Sequence, residues 1–161
     1  MTVDPLAKLL DRTSRKILAL LVNDARLSSR QISREVNLSP PATAERIRRL
    51  EQLGVITGYN AQLDPSKLGF QVLAFVMLNT SQTVIGEIAK DMPQVLECHR
   101  VTGSDSFILK VTAKSVEDLE ALLDGIQPYG AMTTFVVLSS PVTGRQPATM
   151  DADTSDVDDD S

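Results

Sequence analysis

Tryptophan is absent from this 161-residue chain, and aromatic residues make up only 4% of it. A single cysteine, Cys98, excludes an intramolecular disulfide and fits a reducing compartment. With a single histidine beside it, His99, a metal site would have to lean on carboxylates, and no ligand spacing stands out, so no metal is expected. No stretch of about 18 apolar residues occurs, which argues against a membrane-spanning helix and a membrane partner. The opening MTVDPLAKLLDR has an early acid and a very short apolar run, so no signal peptide is expected. Cys98 and His99 do not suggest a catalytic dyad, because neighbours in an extended strand point to opposite faces. His99 shares its face with Glu97, and a structural or interface role is expected for it. What is present, 42% hydrophobic and 23% charged residues, describes a globular cytoplasmic chain.

The net charge of −5 conceals a gradient. Residues 1–60 carry ten Lys/Arg, eight of them Arg, against six Asp/Glu, a net of +4. Residues 146–161 carry six Asp and no Lys or Arg. A locally basic, arginine-rich first third matters more for nucleic acid than the average does, since Arg is the better planar donor to phosphate and guanine.

Three helices are predicted in that first third. Asp11 can cap a helix running to about Asn23-Asp24, with Leu10, Ser14, Ile17, Leu18, Leu21 and Val22 along one stripe. Ser28 precedes a short helix in which Ile32 and Val36 sit four apart. After Asn37-Leu38, Ser39 can cap a third, where Pro40 and Pro41 are tolerated in the first turn. Here Ala44, Ile47, Leu50 and Leu53 are expected in the core, and Thr43, Arg46 and Arg49 form a neighbouring polar stripe. Gly54 supplies a stop. Val55–Ala61 offers a short β-hairpin or wing. Helix, loop, short helix, turn, longer helix is the layout of helix-turn-helix DNA readers.

A linker with a turn follows around Pro65 and Gly69. Beyond it the expected order is strand (Phe70–Asn79), helix (Thr83–Met92), strand (Val95–Thr102), strand (Ser106–Ala113), helix capped by Ser115, and strand (Ala131–Ser139). This βαββαβ order is ferredoxin-like: one antiparallel sheet with both helices on one face. The bare face needs cover, and a second copy of the chain is the commonest solution. The fold class is therefore α+β. The boundaries expected are 1–57 for the winged helix-turn-helix domain, 58–69 for a linker with a short strand, 70–140 for the sheet domain, and 141–161 for an acidic tail. That tail reads as an unfolded solubilising segment, or as a mimic of DNA competing for the basic domain.

The stretches LDRTSRKIL (10–18), LSSRQISREVNLSP (27–40) and ERIRRLEQLGVITGY (45–59) resemble the DNA-binding domain of the Lrp/AsnC family of regulators. Ser14 departs from the family, which often has Asp there. The resemblance implies a sequence-specific transcription regulator, in which the third helix reads double-stranded DNA. It places Ser39, Thr43, Arg46 and Arg49 toward DNA, with Arg30 and Arg34 as candidates for phosphate. It also implies that the second domain dimerises, that dimers assemble to tetramers or octamers, and that an amino acid or related metabolite binds there. By resemblance the effector residues are Gly103, Ser104, Asp105 and Ser106, together with Thr134 and Val136 from the last strand. The family commonly has Gly-Asp-x-Asp-Tyr where this chain has Gly103-Ser104-Asp105-Ser106-Phe107, which leaves the effector's identity open. A plain hairpin turn of small polar residues is the alternative. No catalytic residue and no cofactor other than such an effector is expected, and the setting implied is the cytoplasmic nucleoid. Two alternatives stand beside the regulator: an enzyme like certain tetrapyrrole decarboxylases of similar architecture, and a low-specificity nucleoid protein. The lone histidine and the SPPATAERIRRLE stretch favour the regulator.

Overall fold

A computed structural model describes residues 8–82, 84–104 and 106–147. The expected helix start at Thr83, the candidate Asp105 and the acidic segment 148–161 lie outside the described residues. The described residues divide into two compact units, 8–61 with 142–147, and Gln62–Pro141.

The first unit holds α1 (Arg12–Asn23), α2 (Ser29–Glu35) and α3 (Pro40–Gln52). Each begins at a residue whose side-chain oxygen accepts a first-turn N–H: Asp11 from Ser14, Ser28 from Gln31, Ser39 from Ala42. Ile17, Leu21, Ile32 and Leu50 are buried together, and Leu10, Leu18, Leu27, Val36 and Ile47 pack around them. No strand forms in Val55–Ala61, contrary to the expected wing, nor anywhere in the linker at 58–69. The Val55 and Ile56 N–H groups instead donate to the Leu50 carbonyl at 2.9 and 3.1 Å. Their side chains join the helical core, so the segment finishes the helix end rather than starting a sheet. The linker's ordered piece is a 3-10 turn, Pro65–Leu68, closed by Gly69 at φ 89°, in the left-handed region open to glycine.

The second unit holds β1 (Val72–Asn79), α4 (Ile85–Lys90), β2 (Val95–Arg100), β3 (Phe107–Ala113), α5 (Val116–Ile126) and β4 (Ala131–Val136). The sheet order is β2-β3-β1-β4 with every neighbouring pair antiparallel. This is the ferredoxin-like arrangement expected from the element order. Ala74, Val76 and Leu78 alternate with Leu73, Phe75 and Met77 along β1. The first set is buried with Leu109 and Val111 of β3 beneath Ile85 and Ala89 of α4 and Leu119, Leu122 and Ile126 of α5. The second set lies on the opposite face. Pairing places Lys110 and Phe135 beside Phe75 there, and Ile108 beside Met77. Phe75 is 38% exposed and Phe135 51%.

On β2, His99 and Glu97 share a face. Its Nε2 lies 3.1 Å from Glu97 Oε2, and Lys110 Nζ donates to Glu97 Oε1 at 2.8 Å. Lys110, and to a lesser extent His99, hold the Glu97 carboxyl below its ordinary range. Cys98 faces the other way, against the core, where burial pushes its thiol up.

Candidate nucleic-acid interface

The α2–turn–α3 segment is built almost wholly from side-chain caps. Ser28 and Gln31 bond reciprocally: the Ser28 N–H donates to Gln31 Oε1 at 2.9 Å, and the Gln31 N–H to Ser28 Oγ at 3.3 Å. After α2, Asn37 takes φ 54°, a left-handed conformation that Asn tolerates better than most residues. With the Leu38 N–H on the Ser33 carbonyl at 3.1 Å, the chain reverses within three residues. Ser39 then opens α3, accepting from Ala42 N–H at 3.3 Å. Pro40 and Pro41 fill the two positions where a missing N–H costs nothing. Ser39, Pro40, Pro41 and Ala42 are all exposed, so the positive end of the α3 dipole faces solvent.

Three arginines of α3 have three different surroundings. Arg46 turns back toward α1, its Nη1 lying 2.8 Å from both Asp11 Oδ1 and Ser14 Oγ, and it is 30% exposed. Partial burial tends to raise the Asp11 carboxyl, but the Ser14 N–H and the Arg46 guanidinium outweigh it and hold it below its ordinary value. Arg48 and Arg49 point outward, 59% and 62% exposed, and share Glu45 at 2.8 and 3.1 Å. Hydrogen bonds from Arg48, then Arg49, lower the Glu45 carboxyl. At the far end of the helix Tyr59 donates to Glu51 at 2.9 Å, and burial together with Glu51 pushes its phenol up to about 12.

Ser39, Arg30, Arg34 and Arg49 are thus exposed on the helical unit. Thr43 is not: it is fully buried, and its hydroxyl donates to the Ser39 carbonyl at 3.1 Å. This corrects the expected polar stripe. Residues three apart fall about 60° short of a full turn at each step, so a stripe of such steps rotates around the helix. The face that packs inward runs Thr43, Ile47, Leu50, at steps of four and three. Ala44 and Leu53, expected in the core, are exposed instead. Arg48, which sequence reasoning passed over, joins Arg49 on the outer face. Its position three residues from Glu45, off the Ile47–Leu50 line, was the available signal.

The effector residues gather only in part. Gly103 has φ 124°, a conformation that requires glycine, so it sets the turn between β2 and β3. Gly103 and Ser104 are exposed. Ser106 is tied to the end of β1: its N–H donates to the Leu78 carbonyl at 2.9 Å and its hydroxyl to the Thr80 carbonyl at 2.8 Å. Thr134 and Val136 lie opposite Val76 and Ala74, on the other side of β1. Two strand spacings, about 10 Å, therefore separate β4 from β3 across the sheet.

Two family models match the chain: "Winged helix-turn-helix DNA-binding" over residues 10–57, and "Lrp/AsnC ligand binding domain" over residues 73–147. The chain is 40% identical to the HTH-type transcriptional regulator YezC of Bacillus subtilis, over 81% of this chain and 95% of that protein. The solved structure of LrpC from the same organism superposes with a TM-score of 0.79 at 32% identity, covering 84% of this chain and 99% of LrpC. A feast or famine regulatory protein from M. tuberculosis, solved in complex with L-methionine, gives a TM-score of 0.81 at 28% identity, covering 85% and 97% of the two chains. With the capped α2–α3 pair and the four-stranded sheet matched in order by one group of proteins, the chain belongs to the Lrp/AsnC family of helix-turn-helix transcription regulators.

Proposed function

We propose that this regulator reads double-stranded DNA with the N-terminal turn and outer face of α3, using Ser39, Arg48 and Arg49, while Arg30 and Arg34 on α2 hold phosphate. The observation that carries this is the exposed, proline-started N-terminus of α3 together with the outward pair Arg48–Arg49 toward the other end of the same helix. Arg46 has a different part: bound to Asp11 and Ser14, it fixes the angle of α3 against α1. The chain pairs with a second copy through the outer sheet face around Phe75 and Phe135, which brings two recognition helices to paired half-sites. Dimers assemble further, and an amino acid binds near the Gly103–Ser106 turn, where residues of a neighbouring copy complete a site that one chain leaves spread out. The methionine complex of the M. tuberculosis relative supports an amino acid as the ligand class. The protein works in the cytoplasm on the nucleoid and needs no catalytic group.

A genome-wide footprint of bound DNA, repeated with a panel of amino acids, tests the reading. Discrete sites whose occupancy changes with one amino acid are expected. Even coverage without sites would favour a compacting protein of low specificity. At a cognate site, Arg49→Ala should weaken binding more than on random DNA, by about 1–3 kcal/mol for a base contact.

A further inference from the structure

The last residues of the chain take no part in the site described above. Asp151, Asp153, Asp156, Asp158, Asp159 and Asp160 fall within fourteen residues that contain no Lys or Arg. The described end of the chain, residues 142–147, groups with the helical unit. The acidic segment is thus tethered to the unit that carries Arg30, Arg34, Arg48 and Arg49. Among the described residues Arg30 and Arg34 form no ion pair, and Arg48 and Arg49 share one carboxylate. Arg30 and Arg34 are four apart on α2, so their side chains leave the same side of the helix. Reach is ample: fourteen residues can span up to about 46–50 Å, whereas thirteen-residue α3 is about 20 Å long. Charge complementarity is the other argument: six aspartates, three of them consecutive at Asp158–Asp160, stand opposite four arginines.

We propose that the aspartate segment 151–160 docks on the arginine face of α2 and α3 in its own chain and competes with DNA for it. The inference rests on the DNA-reading role assigned to that face. DNA then binds only the fraction of molecules whose tail has left, so the apparent Kd is the intrinsic value divided by that fraction. Both attachments are ionic and both weaken with salt, and the tail's effect is greatest where salt is lowest.

Three proteins test it: the full chain, a chain ending at Pro147, and a full-length variant with all six tail aspartates changed to asparagine. Affinity for one duplex is measured from about 50 to 200 mM salt, a range over which phosphate contacts weaken strongly. Both altered tails should bind roughly three- to tenfold tighter at the low end, with the gap closing as salt rises and a steeper salt slope than the full chain. Equal affinities at every salt concentration overturn the proposal. A tail that merely repels DNA from a distance is separated by NMR, adding a peptide of residues 148–161 to the chain ending at Pro147. Shifts centred on Arg30, Arg34, Arg48 and Arg49 support docking, and their absence overturns it. Should none of the three proteins bind any DNA, the DNA-reading role fails, and the peptide titration still decides docking.

Discussion

Changing Thr43 to valine removes one hydroxyl and little else. The side chain is buried and its hydroxyl meets only the Ser39 carbonyl, which also accepts the Thr43 N–H at 2.9 Å. Stability should change by less than about 1 kcal/mol, and affinity for a cognate site should stay within about twofold. A tenfold loss of affinity in a gel-shift titration would return Thr43 to the DNA face. Asp11→Asn tests the opposite side of α3. Asparagine keeps the cap but gives up the charge that meets Arg46. The Asp11 carboxyl titrates below its ordinary 3.8 when folded, so its contribution is fully present above that value. It is lost as pH falls through the lower, folded value. Denaturant melts of wild type and Asp11→Asn should therefore differ at neutral pH, by roughly 1 kcal/mol at most for so exposed a pair, and draw together only as pH falls from 3.8 through the lower, folded value. Residue roles on α3 were only half legible beforehand. Leu50 and Ile47 could be placed, but Thr43 and Ala44 exchanged places because helical drift decides between neighbours, and a threonine that bonds its own backbone is content in a core. The tie of Arg46 to α1 was hidden for a related reason: its partner Asp11 is thirty-five residues away in sequence.

At the scale of elements, the helix starts were the most legible feature. Asp11, Ser39 and Ser115 each stand where a cap was expected, Ser28 stands where a helix start was, and each side chain accepts a first-turn N–H. The strands were found within a few residues, because β1 and β3 alternate or run apolar for a whole strand length. No strand forms over Val55–Ala61 because Val55 and Ile56, good strand formers, have no partner strand among the described residues and a ready place in the helical core. Leu50→Ala should cost about 2–5 kcal/mol, read as a loss of α-helical signal in the first unit on denaturant titration, because Leu50 is wholly buried among Ile17, Leu21 and Ile32. Gly130 was not singled out beforehand, yet a Cβ there would collide with the Asn79 carbonyl oxygen where β4 joins the end of β1. Gly130→Ala should lower the melting temperature and move amide signals of Asn79, Thr80 and Ala131 in NMR spectra. Unmoved signals would show that the strand end yields freely.

For the whole molecule, the pattern of β-α-β-β-α-β foretold the sheet order, and the bare outer face with Phe75 and Phe135 agrees with the need for cover. The separation of Gly103–Ser106 from Thr134 and Val136 was not drawn from the motif, because a linear stretch does not say that β1 lies between β3 and β4. Phe135→Glu should convert the proposed dimer to monomer in analytical ultracentrifugation while the circular dichroism spectrum is retained. It should also weaken binding to paired half-sites far more than to a single one. The helical core and the sheet core have no residue in common. If the chain assembles as proposed, a lesion such as Leu50→Ala would leave the sheet able to recruit intact chains into assemblies with a missing reading head. In a cell holding both alleles the damaged copy would poison the sound one, and loss of the helical unit would be inherited as a dominant trait, loss of the sheet unit as a recessive one.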